Sequence, residues 1–350
     1  MRKNPSKKII VHVGMHKTAT TTIQNAYSNF DDGRNRYVDL FESNHSTPIR
    51  SLFCNNPAKF GFHVRQQHSK NEILDYRNSV REQLHQELSI DREVLLTSGE
   101  DLCHLSKEEV HNFYQFLKTY SNNISAFAYV RDPLSFGSSA YQFMLRLGST
   151  SLTPVKPNYR SRFESFIEVF GASNTELRPF DRTLFKRGSV IADFADYVGF
   201  LPHELGVIDS KRRNASFSNV AAYILHRLNT QKPLNISIQN PHLDTNQLFS
   251  SLKKIPGQPF QFSSEILLQS VDPNDLAWLK NVSGIDFNLD RSSGSLKSSL
   301  TAQDVFGLED SDILEPLRLL LDSCKIIFLQ SDDSMRLIVR LCLHHIKIPA

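Results

Sequence analysis

Within the first 25 residues the chain carries a group of side chains suited to holding an anion. They run Gly14-Met15-His16-Lys17-Thr18-Ala19-Thr20-Thr21-Thr22 and follow the apolar β-branched run Ile9 to Val13. The run reads as a buried strand, and a helix-compatible pattern resumes at Ile23. A strand, a short polar loop and a helix start aim backbone N–H groups and a helix N-terminus at a negative group. Lys17 adds positive charge, and Thr18, Thr20, Thr21 and Thr22 add hydroxyl donors.

The loop departs from the G-x-x-x-x-G-K-[ST] pattern of triphosphate-binding loops. With Gly14 set on the first glycine, Ala19 falls on the second and Thr20 on the lysine, so the lysine stands three positions early, at Lys17. A lysine in the mouth of the loop points to a nucleotide whose reactive anion is not a γ-phosphate. A second anion element follows the run Ile124 to Val130. Arg131 precedes Asp132-Pro133, a good helix opening, and Ser135, Ser138 and Ser139 fall in the first two helical turns. Arg131 can give a bidentate contact, and Ser139, eight residues on, a hydroxyl contact. A nucleotide with phosphates at both ends of its ribose suits two such sites.

Three apolar runs must position these groups: Ile9 to Val13, Val94 to Ser98 and Ile124 to Val130. Each ends in a polar cluster: Lys17 to Thr22, Ser98 to Asp101, and Arg131 to Ser139. Helical spacing over 73–89, a capping box at Ser106 to Glu109 and a helix through Leu147 lie between and after them. Strands alternating with helices imply βαβ units and a parallel sheet, whose ligands bind beyond the carboxyl ends of the strands. The three clusters are therefore expected on one sheet edge. Thr175 to Phe180 reads as a short edge strand, residues 24–72 as polar and irregular, and 283–301 as a linker.

The expected fold class is α/β: a three-layer, P-loop-like fold with a central parallel sheet flanked by helices, plus a mostly helical C-terminal extension. The expected divisions are a core over 1–230, a loop-rich continuation over 231–300 and the extension over 301–350. Of the 350 residues, 40% are hydrophobic and 22% charged, a globular composition, and a net charge of +3 is too small to imply nucleic acid. No apolar run reaches the roughly 20 residues of a membrane span. Cys54, Cys103, Cys324 and Cys342 are widely spaced and read as reduced thiols, hence a cytoplasmic setting. No metal-ligand spacing occurs among the 13 histidines. Oligomeric state leaves no mark in the pattern.

Taken together, His16-Lys17-Thr18-Ala19-Thr20-Thr21 and Val130-Arg131-Asp132-Pro133 through Ser139-Ala140-Tyr141 resemble the sulfotransferases that use 3′-phosphoadenosine 5′-phosphosulfate. Leu177-Arg178-Pro179-Phe180, Asp193-Phe194, Arg213-Asn214-Ala215-Ser216 and Leu228-Asn229 resemble their bacterial carbohydrate-type branch more weakly. The resemblance spans roughly 7–230. It implies in-line sulfuryl transfer from that co-substrate to a hydroxyl or amine of a small-molecule or carbohydrate acceptor, without a metal. It implies that Lys17 neutralises the leaving oxygen, that His16 to Thr22 cradle the 5′-phosphosulfate, and that Arg131 and Ser139 grip the 3′-phosphate. Glu100, where relatives carry His or Glu, becomes the base, with His104 as the alternative. Ala19 departs from the family's glycine. Two other classes stay open: a P-loop kinase of a small molecule, which needs a Walker lysine and a magnesium carboxylate, and a non-catalytic binder of an anion or glycan. Arg160 and Arg162 suggest a sugar or an anionic polymer as acceptor.

Overall fold

The computed structural model describes residues 7–202, 216–231, 242–289 and 299–346. Among the described residues five strands form one sheet: β1 Lys8–His12, β2 Asn35–Tyr37, β3 Val94–Ser98, β4 Asn123–Val130 and β5 Thr175–Pro179. Their order is β2-β3-β1-β4-β5, and every pairing is parallel. The helices in chain order are α1 Thr20–Tyr27, α2 Ser46–Phe53, α3 Gly61–Arg65, α4 Lys70–Ser89, α5 Lys107–Lys118, α6 Pro133–Arg146, α7 Tyr159–Phe170, α8 Val190–Val198, α9 Asn219–Gln231, α10 Thr245–Leu252, α11 Ser264–Ser270, α12 Pro273–Ser283, α13 Ala302–Phe306, α14 Leu314–Ser323 and α15 Ser334–His344. The α/β class and the central parallel sheet flanked by helices are as expected.

Packing divides the chain into two discontinuous units. The first comprises Met1–Asp132, Asn158–Lys211 and Asp272–Asn288 and holds the whole sheet. Alternation along its strands sends Ile10, Leu96, Phe127 and Tyr129 to one face, where they pack with Ile23 and Tyr27 of α1 and Phe194 of α8. Helix α7 packs on α5 and on β4. The second unit comprises Pro133–Pro157, Arg212–Val271 and Leu289–Ala350. It is helical, with a core built on Tyr141, Phe217, Leu225, Phe260, Phe306 and Leu337. Helix α6 falls in the same unit as α9 and the C-terminal helices.

Two stretches are more regular than their composition suggests. Residues 24–72 hold β2, α2 and α3, and 231–300 hold α10, α11 and α12. The linker expected over 283–301 falls partly outside the described residues, as do Arg213, Asn214 and Ala215. Among the described residues no helix is long and apolar enough to cross a membrane.

Candidate functional site

Strand β1 is the hub. His12 pairs with Ser98 of β3 on one side and Phe127 of β4 on the other, so β1 and β3 end together while β4 runs on to Val130. Their continuations stay joined: Gly99 N–H donates to His12 O at 3.0 Å, Val13 N–H to Phe127 O at 2.8 Å, and Met15 N–H to Tyr129 O at 3.3 Å. The polar cluster after β1, the start of that after β3, and Arg131 after β4 are thereby brought to one edge.

The loop between β1 and α1 is shaped by left-handed residues, Gly14 at φ 93°, Lys17 at 65° and Ala19 at 58°. Such alternation marks an anion-binding concavity. Ala19 holds a conformation natural to glycine. Arg131 reaches the loop directly: its Nη1 donates to Lys17 O at 2.8 Å. Tyr159 O–H in turn donates to Arg131 O at 2.6 Å, and the guanidinium lies 5.8 Å from the Phe180 ring. Burial lowers the Arg131 pKa.

The four threonines diverge. Thr18 is buried and donates to Met15 O at 2.5 Å, so its proton braces the loop itself. Thr20, the first residue of α1, is also buried and donates to Glu100 Oε2 at 2.6 Å. Thr21 is exposed and Thr22 half-buried, its N–H donating to Ala19 O at 2.9 Å. Ser139 lies in the second turn of α6, in the second unit. Its neighbour Ser138 is buried and accepts from Phe262 N–H at 3.1 Å, a packing role.

Glu100 opens a 3-10 turn, Glu100–His104, that faces the loop. A Cβ on Gly14 would stand 2.7 Å from Glu100 Cα, so the two backbones are in direct contact. His16 Nε2 lies 2.9 Å from Asp101 Oδ1. Burial works to lower the His16 pKa, but its hydrogen bonds to Asp101 and Cys103 and the charges of Glu100 and Asp101 outweigh it and raise it to about 10. His16 is therefore an imidazolium at neutral pH. His104 behaves oppositely: burial, then the Arg162 charge, lower it to about 4, so it is neutral.

His16, Cys103 and His104 bring ligand atoms within 4.8 Å of one another, a spacing that could hold a metal ion. Arg162 Nη1 lies 3.2 Å from Cys103 Sγ and 3.4 Å from His104 Nε2. A guanidinium against two of three donors opposes a cation there. Arg162 thus joins the site, whereas Arg160 pairs with Glu164 at 2.8 Å on the surface. The partners of Asp101 and Arg162 had no sequence signal, since they lie 85 and 58–59 positions away.

Among the described residues of the weaker matches, Arg178, Asp193 and Asn229 make contacts within the fold. Tyr129 O–H donates to Asp193 Oδ2 at 2.5 Å, and Arg178 Nη1 lies 3.5 Å from the same oxygen. Asn229 Nδ2 donates to Leu145 O at 2.8 Å and Ser149 O at 3.1 Å, closing the end of α6.

No protein-family model matches the chain, and no curated protein matches it. Among solved structures it is similar to a sulfotransferase from Alicyclobacillus acidocaldarius, 12% identical, over 60% of this chain and 86% of that one, with a TM-score of 0.38. It is also similar to the sulfotransferase domain from the curacin biosynthetic pathway, 10% identical, over 58% and 77%, with a TM-score of 0.34. Likenesses of this size carry no functional argument. The fold and site by themselves define a parallel α/β protein with a loop of left-handed residues at the carboxyl edge of its sheet.

Proposed function

We propose that the protein is a sulfotransferase that moves a sulfuryl group from 3′-phosphoadenosine 5′-phosphosulfate to a hydroxyl or amine of a carbohydrate acceptor. The observation that carries this function is the meeting of Arg131 with the Lys17 carbonyl at 2.8 Å, which puts the two basic residues of separate sequence elements at one loop. A nucleotide that carries a second phosphate on its ribose would use a second basic residue there.

In this function the backbone of Gly14 to Thr20, with Thr20 to Thr22, cradles the 5′-phosphate, and the His16 imidazolium adds charge beside it. Arg131 takes the 3′-phosphate. Glu100 removes the proton from the acceptor as its oxygen or nitrogen bonds to sulfur. Lys17 stabilises the oxygen left on adenosine 3′,5′-bisphosphate as its bond to sulfur breaks.

Thermal-shift measurements with adenosine 3′,5′-bisphosphate and with magnesium-ATP test the class. The bisphosphate is expected to raise the melting midpoint of the wild type by several degrees and that of R131A by none. Stabilisation by magnesium-ATP alone would assign the loop to a kinase instead.

A further inference from the structure

Thr20 and Glu100 are joined side chain to side chain, Oγ1 to Oε2, at 2.6 Å. Two other contacts fix the separation of their backbones. Gly14 lies against the Glu100 main chain so closely that a Cβ would meet Cα at 2.7 Å and O at 2.8 Å. His16 holds Asp101 at 2.9 Å. The loop and the Glu100–His104 turn are thus stitched together, and a change of partner by Thr20 needs only a side-chain rotation.

A hydroxyl carries one proton and donates to one acceptor at a time. Thr20 is buried at the first position of α1, beside the first backbone N–H groups of that helix, which suit an anion. Its β-branched side chain occupies discrete rotamers, so donating to Glu100 and donating to an anion on the loop are alternatives. We propose that Thr20 is a switch that couples occupancy of the loop to the availability of Glu100. With the loop empty, Thr20 donates to the carboxylate. With a 5′-phosphate on the loop, Thr20 donates to the phosphate, and the Glu100 oxygen is released to take the proton of the acceptor. The switch rests on the donor and base assigned above. It makes binding ordered, donor before acceptor.

Linkage makes the coupling measurable from the nucleotide side, because Glu100 and the phosphate compete for one hydroxyl. Isothermal titration calorimetry with adenosine 3′,5′-bisphosphate is carried out on wild type, T20V, E100A and the double variant. E100A removes both the competing acceptor and a negative charge, and the cycle separates the two. E100A is expected to tighten binding about tenfold in the otherwise wild-type protein, the scale of a charge-assisted hydrogen bond, and less than about threefold on the T20V background. T20S keeps the hydroxyl and is expected to bind as wild type does. E100Q loses the charge but keeps an acceptor for Thr20, and is expected to gain less than E100A. Equal gains on both backgrounds, or equal gains for E100Q and E100A, would reduce the effect to charge repulsion and overturn the switch. A wild type that does not bind the bisphosphate overturns the donor assignment, and the switch with it.

Discussion

Ala19 carries a strain that glycine would not. Its φ of 58° and ψ of 25° lie in the left-handed region, where a Cβ crowds the neighbouring carbonyl at a cost of about 1–2 kcal/mol. Glycine returns part of that gain through the greater freedom of its unfolded chain, about 0.4–1 kcal/mol. A19G is therefore expected to raise stability by about 0.5–1 kcal/mol in urea titration, and to bind adenosine 3′,5′-bisphosphate at least as tightly as wild type. A loss of stability would mean that the loop relaxes away from this conformation. Lys17 shares the left-handed geometry at φ 65°, but there the Arg131 bond to its carbonyl holds the backbone in place. Arg131 therefore acts on the loop even before any ligand arrives.

At the scale of elements, the site depends on two segments meeting without room for a methyl group. Gly14 has both a φ of 93° and the Glu100 backbone at contact distance. G14A must shift the Glu100–His104 turn or the loop. The expected loss is about 2–3 kcal/mol in chemical denaturation, together with loss of bisphosphate binding. Retained stability and binding would show that the turn moves freely. The sequence pattern reached much of this arrangement. Strands β1, β3 and β4 announce themselves as apolar β-branched runs, and the Ser106 to Glu109 capping box is made by both of its bonds. Strand β2 does not announce itself. Its residues Asn35-Arg36-Tyr37 are polar, and Arg36 is held by Glu87 and Asp31 at 2.8 Å each, partners whose role appears only in three dimensions. Convergence of the loop with Arg131 was legible because parallel strands share a carboxyl edge. The bonds of Thr20 to Glu100 and His16 to Asp101 were not, since they bridge 80 and 85 positions and depend on side-chain rotamers.

For the whole molecule, buried histidines set opposite slopes on the two sides of neutrality. His12 donates or accepts at Ser98 Oγ, 2.8 Å away, and His45 at Thr97 Oγ1, also 2.8 Å away. Burial lowers both from the ordinary 6.5 to about 3. Between those values the unfolded chain takes up protons that the folded chain refuses, so stability falls as pH drops from 6.5. His16 has the reverse sign. Folded, it keeps its proton up to about pH 10, while unfolded it releases it near 6.5. Its contribution is fully present below 6.5 and is lost as pH rises through about 10. Carboxylates held low by partners, such as Asp31 beside Arg92 and Arg36, add to the acid side only below about 4, their ordinary range. Stability is therefore expected to peak near pH 6.5 and to decline on both sides by an amount on the order of a few kcal/mol. Urea midpoints from pH 4 to pH 10 measure the curve. H16Q is expected to flatten the alkaline limb and leave the acid limb in place. An alkaline limb equally steep in H16Q would remove His16 as its source, and with it the charge proposed beside the phosphosulfate.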